Sequence, residues 1–198
     1  MTKFSEQLEP LAKEFEKRFK PYQEYIIKDY PWDNKVWHSE KFAWAHLERY
    51  YTDKVSVLHV VIMPNRCSLT PIFGFDIIEI SNTLTGMFLD VTPVPMGVTM
   101  PKAGVTRERP EWADFFSEQF VCVKPNSIQD AYEAIPVLDM YMTMLPGTCD
   151  TDQGSVQQRY IDGQRRNPQT FKMLKSHIGE EKAREFIDKI LFPNILKL

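Results

Sequence analysis

The chain is poor in the residues that most often announce a cofactor. Its three cysteines, Cys67, Cys122 and Cys149, are scattered, odd in number and form no CxxC pair, which leaves neither a disulfide framework nor a thiolate metal site. All three read as structural thiols. With eight glycines in the whole chain, there is no phosphate-cradling loop and no G-x-G-x-x-G after a strand, and G-x-S-x-G and H-E-x-x-H are missing too. Nicotinamide, flavin and zinc are therefore unsupported. No apolar run reaches the roughly 18 residues that a bilayer span needs, and the N-terminus, Met1-Thr2-Lys3-Phe4-Ser5-Glu6, passes straight to charged residues instead of a basic-then-apolar leader. A soluble cytoplasmic protein is expected. Nor is one sign of charge in excess: a formal net charge of -3 and a pI near 5.8 argue against nonspecific binding of nucleic acid or anionic membrane.

What the chain does have is apolar and aromatic mass. At 198 residues, 43% hydrophobic and 13% aromatic, it can bury a sizeable core, and no repeat or linker divides it. A single domain over 1–198 is expected. Leu8, Leu11, Phe15 and Phe19 recur at spacings of three and four with Glu9, Lys13, Glu14 and Lys17 between them, which predicts a surface helix that covers a core and ends at Pro21. An aromatic stretch follows, and then four strands at hairpin spacing, 36–51, 55–63, 72–81 and 85–91. A proline- and glycine-bearing loop over 93–110 reads as a lid or rim. Helical signals come next: a short helix over 112–119, a connector or edge segment at 122–124, and a helix capped by Ser127, with Asp130 completing the capping pattern, that reaches about Leu145 and is broken or kinked at Pro136. Two more helices are predicted near 154–178 and 180–192. The expected class is α/β, an antiparallel sheet with helices packed on it.

Four titratable residues stand out in this frame. Alternation along 36–51 places Phe42, Trp44, His46, Glu48 and Tyr50 on one side and Ala43, Ala45 and Leu47 on the other. His59 interrupts the apolar run Leu58-His59-Val60-Val61-Ile62-Met63-Pro64, and Asp76 interrupts Pro71-Ile72-Phe73-Gly74-Phe75-Asp76-Ile77. Burial disfavours the charged form of each, so an acid and a base held close in a dry core have displaced pKa values and can exchange protons. If neighbouring strands pair, His46, Glu48, His59 and Asp76 collect on one sheet face as a proton-handling cluster. Each also has a plainer reading. His59 could be a core histidine with one hydrogen bond, and His46 and Glu48 a wet edge beside a turn. Asp76 could be a structural ion pair, although an aspartate between Phe75 and Ile77 is a poor strand former and costly to bury alone. Asp90 reads as a strand-end or turn residue. The residues by themselves leave open an external source of reducing power, an electronically versatile substrate, or plain acid–base chemistry.

The string His46-Leu47-Glu48, the two apolar runs around His59 and Asp76, and further matches at Leu89-Asp90-Val91-Thr92-Pro93, Phe116-Ser117, Val123-Lys124-Pro125, Asn167-Pro168-Gln169-Thr170 with Leu174, and Ile190-Leu191-Phe192 resemble the ferredoxin-dependent bilin reductases, most of all the phycocyanobilin:ferredoxin oxidoreductase type. The resemblance implies a three-layer α/β/α sandwich, a central antiparallel sheet flanked by helices, with biliverdin IXα held between the sheet and the C-terminal helices. It implies no bound metal or flavin: reduced ferredoxin is the external donor, electrons arrive singly, and the protein supplies protons to bilin radicals. By position, Asp76 looks like the central proton donor at the pyrrole nitrogens, His59 like its hydrogen-bonded partner, Glu48 like the acid serving the D-ring exovinyl group, and His46 like the support of Glu48 or a relay. Thr85 and Lys124 match positions that hold a propionate, a sensible pair for a carboxylate, though a strand threonine and a surface lysine account for them equally. A basic rim for acidic ferredoxin is expected from Lys172, Lys175, Lys182 and Arg184, or from Lys102, Arg107 and Arg109; a solvated charged face is the plainer account. The family suggests a monomer.

Two departures bear on the product. Many relatives carry a second catalytic aspartate in an Asp-Pro or Asn-Asp step before the final helices, where this chain reads Asn167-Pro168. Asn167 is therefore expected to bind substrate, with the second aspartate's function absent or moved. The chain is also shorter than most cyanobacterial members, similar to a compact branch found in phages and associated with phycoerythrobilin. The expectation is a four-electron reduction of biliverdin IXα to phycoerythrobilin in a bacterial cell, a phage-infected cyanobacterium included, with phycocyanobilin as the alternative product. A noncatalytic bilin or haem carrier would use the same apolar face without needing the acids, and an unrelated acid–base enzyme would raise no bilin absorption band.

Overall fold

The apolar stripe near the N-terminus forms the helix it predicts, α1 (Glu9–Phe19), whose Leu11, Ala12, Phe15 and Phe19, with Leu8 before it, are fully buried. Pro10 lies in its first turn, where no amide partner is lost. The computed structural model describes residues 3–65, 71–95, 98–145 and 154–194. Eight strands form one antiparallel sheet: β1 (Gln23–Ile27), β2 (Asp33–His38), β3 (Phe42–Tyr51), β4 (Val55–Pro64), β5 (Ile72–Ile80), β6 (Thr83–Thr92), β7 (Val105–Thr106) and β8 (Val121–Lys124). Their spatial order is β1-β2-β3-β4-β5-β6-β8-β7.

Several boundaries differ from those expected. The strand over 36–51 is two strands, turned at Ser39, whose Oγ accepts from the amides of Lys41 and Phe42. Most of β1 is solvent-exposed, so no in–out alternation marks it in the sequence. The long loop contributes β7, and the segment at 122–124 is a paired strand between β6 and β7. The helix over 112–119 shrinks to a single 3-10 turn, Glu111–Ala113. Ser127 does cap a helix, accepting from Gln129, while Asp130 reaches the amide of Asn126. That helix breaks at Glu133 into α2 (Ile128–Tyr132) and α3 (Ala134–Met144), so Pro136 falls in a first turn, where a missing N–H costs nothing. The helix over 154–178 is likewise two, α4 (Gly154–Arg165) and α5 (Pro168–Ile178). Proline drives the residue before it out of the helical region, and Asn167 stands there with φ -60° and ψ 109°. After α6 (Glu180–Phe186) the chain continues as a π-helical turn, Ile187–Leu191.

Strand alternation then builds the three layers. Leu58, Val60 and Ile62 of β4, Phe73, Phe75 and Ile77 of β5, and Met87, Leu89 and Val91 of β6 pack with α1 and α3 in one core. There Phe15 stacks on Phe75 at 5.0 Å and Phe19 on Trp37 at 4.7 Å. Arg49, 5% exposed, ties α1 to the sheet by donating to Glu9 and Glu16. A bulge between Phe42 and Trp44 turns Phe42 into this core and Ala43 to the other side, against the simple alternation. The second face packs with α4, α5 and α6. Truncating Phe15, which holds α1 to the first core, should cost about 3–5 kcal/mol. Urea unfolding of Phe15→Ala measures it, and a loss below about 1 kcal/mol would mean that α1 is not part of the cooperative unit.

Candidate active site

On the second face the antiparallel register aligns polar residues across the sheet. Asn34 faces Glu48, Glu48 faces His59, His59 faces Asp76, Asp76 faces Phe88 and Phe88 faces Cys122. The next row on the same face runs Val36, His46, Val61, Gly74 and Asp90. All four expected residues, His46, Glu48, His59 and Asp76, thus share one face. The wet-edge reading of His46 and Glu48 fails: they are 0% and 3% exposed, because β1 and β2 extend the sheet beyond β3. Asp90 is a strand-end residue, two positions before the end of β6, and not a turn residue. It is 1% exposed and accepts from the amide and hydroxyl of Ser117 and the hydroxyl of Thr92. Burial holds its carboxyl above the usual range against those donors.

The row has a graded proton affinity. Burial pushes the Glu48 carboxyl up to about 7, with the charge on His59 opposing and that on Asp76 assisting. For His59, burial alone would disfavour the cation, but the Asp76 carboxylate, in hydrogen-bond contact at 2.7 Å, and Glu48 outweigh it and raise the imidazole above its ordinary value. The contact therefore favours the protonated imidazole. His46 is the reverse case: burial, then the charge on His59, hold it well below the ordinary value and keep it neutral. Asn34 donates to the Trp32 carbonyl at 3.0 Å, so its oxygen faces His46 Nε2 at 3.1 Å, and that nitrogen carries the proton. Among the described residues, Trp32 Nε1, His46 Nδ1, Glu48 Oε1 and His59 Nε2 have no hydrogen-bond partner. The Trp32 indole lies near enough to weigh on Glu48 without meeting hydrogen-bond geometry. Each buried orphan costs about 1–3 kcal/mol, and four gathered at one place mark a site that takes a polar ligand.

The rest of the site is aromatic and apolar. Phe192 lies 5.9 Å from the His59 ring and Phe186 6.3 Å from His46. Beside Asp76, Phe88 stacks parallel to Phe120 at 6.1 Å, and Phe120 on Phe116 at 4.1 Å. Arg109 donates to the carbonyls of Ala113, Phe116 and Ser117 and so fastens this aromatic segment; the residue itself is exposed. Flat apolar walls around a few polar groups suit a planar conjugated molecule with a polar centre. Asp76, with its side chain 31% exposed, is more open than His59 and Glu48.

The remaining candidates lie off the row. Thr85 is the extra residue of a bulge opposite Ile78 and Glu79, and its hydroxyl donates to the Ile78 carbonyl at 3.3 Å. Lys124 ends β8, exposed, on the side opposite Val121 and Val123, which face the first core. Both therefore stand at one end of the site face. Asn167 Oδ1 accepts from the amides of Gln169 and Thr170, so its first role is to cap α5. Lys172 and Lys182 are exposed, whereas Lys175 and Arg184 share Glu180. Cys122 is a buried free thiol; Cys67 and Cys149 lie outside the described residues. Among the described residues no group of three His, Cys, Asp or Glu is placed to hold a metal, and no helix is long and apolar enough to cross a membrane.

The site is thus an acid–base row under an aromatic cover on one face of an antiparallel sheet. Residues 2–193 match the sequence model described as ferredoxin-dependent bilin reductase. The chain belongs to that family of oxidoreductases. It is 23% identical over 185 residues to a phycocyanobilin:ferredoxin oxidoreductase of Prochlorococcus marinus, covering 80% of this chain and 74% of the relative. To one from a Synechococcus species it is 26% identical over 188 residues, covering 81% and 75%. Among solved structures, PcyX superposes with a TM-score of 0.63 at 17% identity, over 94% of this chain and 98% of the other. Tomato phytochromobilin synthase, solved with biliverdin, gives 0.58 at 17% identity, over 100% and 78%. These likenesses establish a shared fold.

The Glu48 carboxyl supplies a test with a defined sign. Its folded pKa of about 7 lies above the ordinary carboxyl value of 4.5, so between those pH values the unfolded chain has released a proton that the folded chain keeps. Stability therefore falls as pH rises through this window and levels off above it, by about 3 kcal/mol at most. Glu48→Gln removes this dependence. Urea unfolding should find the variant more stable than the native protein at pH 8 and close to it near pH 4.5; equal stabilities at pH 8 would mean an ordinary carboxylate.

Proposed function

We propose that the chain reduces biliverdin IXα with single electrons from reduced ferredoxin, its own side chains supplying the protons and no metal or flavin being held. The registered row Glu48, His59 and Asp76, its first two members buried and each with an unpartnered polar atom, carries this reading. Each electron added to the bilin makes a radical anion of increased basicity, which a nearby acid quenches. Asp76, open to the ligand, is the donor at the pyrrole nitrogens, taking from His59 across a 2.7 Å contact the proton that it passes on. Glu48, poised near 7, holds a proton for the D-ring vinyl group at neutral pH, with neutral His46 accepting or relaying at Nδ1. Four electrons and four protons complete the conversion.

Thr85 and Lys124 at one end of the face are the binding pair for a propionate, and Asn167, whose capping bonds engage Oδ1, adds a polar contact near α5. The bilin would lie between the sheet and α4–α6, displacing side-chain contacts such as Phe192 on His59 and leaving backbone ladders intact. Exposed Lys172 and Lys182 offer ferredoxin a basic rim. The protein would work as a monomer in a bacterial cytoplasm. Phycoerythrobilin is the proposed product, on the Asn167-Pro168 step. Phycocyanobilin is the second reading, favoured by the names of the relatives in Prochlorococcus and Synechococcus.

An anaerobic assay with biliverdin IXα, reduced ferredoxin and chromatography against bilin standards tests both readings. The native protein should turn over to one of the two bilins. Asp76→Asn should bind biliverdin within a few-fold of native affinity while turnover falls by about a hundredfold or more. Undiminished turnover in the variant would remove Asp76 from its role, and tight binding without turnover in the native protein would make it a carrier.

A further inference from the structure

Tyr160, on α4, is 1% exposed and belongs to the core that covers the acid–base row. Two glycines allow its position. A Cβ at Gly163 would come within 2.1 Å of the Phe115 ring, so α4 can dock on that ring only where a side chain is missing. Three residues earlier, nearly one turn along the helix, Tyr160 extends to the sheet, where a Cβ at Gly74 would lie 2.6 Å from its hydroxyl. Phe115 and Phe116 hold the tyrosine ring edge-on at 5.6 and 5.8 Å. The phenol thus ends against the sheet in the row His46, Val61, Gly74 and Asp90, with Asp76 two residues along the same strand and on the same face.

The hydroxyl is also polarised and aimed. Gln164 Nε2, four residues on, donates to the phenol oxygen at 3.0 Å, and an oxygen that accepts becomes a better donor. Among the described residues its own proton has no recorded acceptor. Burial, with Asp90 and Asp76 nearby, keeps the phenol protonated throughout the working range, against a smaller opposing effect of the Gln164 bond. A neutral, oriented donor therefore stands at Gly74, whose backbone lies about 7 Å along the strand from that of Asp76, the repeat of two residues. A bilin coiled with its pyrrole nitrogens over Asp76 carries its two lactam oxygens beside those nitrogens, whereas its propionates extend outward.

Building on the bilin reading, we propose that Tyr160 is a further substrate-contacting residue, its hydroxyl donating a hydrogen bond to a lactam oxygen of the bound bilin. Tyr160 then fixes which end ring of the pigment lies between Asp76 and Asp90, and so where reduction can start. Gly74 is the residue that makes room for this hydroxyl.

The test compares biliverdin binding and the infrared lactam carbonyl bands of the bound pigment in the native protein, Tyr160→Phe, Gly74→Ala and the double variant. Tyr160→Phe keeps the ring that packs on Phe115 and Phe116. It should weaken binding about tenfold, the scale of one hydrogen bond, and shift a lactam band to higher frequency. Gly74→Ala should move the same band by displacing the hydroxyl, and the double variant should add nothing. An unchanged band in Tyr160→Phe overturns the proposal, even if its melting temperature falls, since the hydroxyl would then be structural only. A native protein that fails to bind biliverdin overturns the bilin reading itself, and this proposal with it.

Discussion

The contact on which the site depends is the 2.7 Å pairing of His59 with Asp76 across β4 and β5. The buried His59 imidazolium is not tolerable alone on that face: burial would take its charge, and the Asp76 contact restores it. Together they keep a mobile proton where the sheet would otherwise be hydrocarbon. Glu48 and His46 then take opposite states from the same cause, burial, which favours the neutral form of each. The carboxyl therefore retains a proton and the imidazole lacks one, so donor and acceptor stand within one patch of sheet.

The antiparallel register turns three distant stretches of chain into this patch. Because side chains alternate with a period of two, one face of β3, β4 and β5 carries Leu47, Val60 and Phe75 into a conventional apolar core. The other carries Glu48, His59 and Asp76 beneath aromatic rings from the C-terminal helices. The two faces are held differently. On the first, α1 is anchored by stacked rings and the ion pairs of Arg49. On the second, contacts are mostly ring against ring, with polar ties such as Trp44 Nε1 to the Ile190 carbonyl and Arg165 to the Phe192 carbonyl at the margins. A cover of this kind parts from a sheet without breaking a backbone ladder.

How much of this can be read from the sequence depends on how local each cause is. The stripe of α1 and the polar interruptions at His59 and Asp76 are legible because each contrasts with its own neighbours. β1 is not, since its exposure removes the alternation. The helix break at Asn167-Pro168 has a local cause that a long amphipathic pattern obscures, and the break gives Asn167 a capping role that its place in a motif does not reveal. Asp90 looks like a turn residue because its partner, Ser117, comes from a loop 27 residues on. Tyr160 resembles any core tyrosine of an amphipathic helix; only the two glycines that admit its approach, Gly74 and Gly163, distinguish it, and they gain meaning when placed in space.

Nitrogen-15 NMR of the four histidines across pH, in the ligand-free native protein and in Asp76→Asn, addresses the proton row most directly. The account predicts that His59 titrates above the ordinary value near 6.5 and falls below it once the carboxylate is gone, while His46 stays neutral with its proton on Nε2. An ordinary midpoint for His59 that ignores the substitution would contradict it.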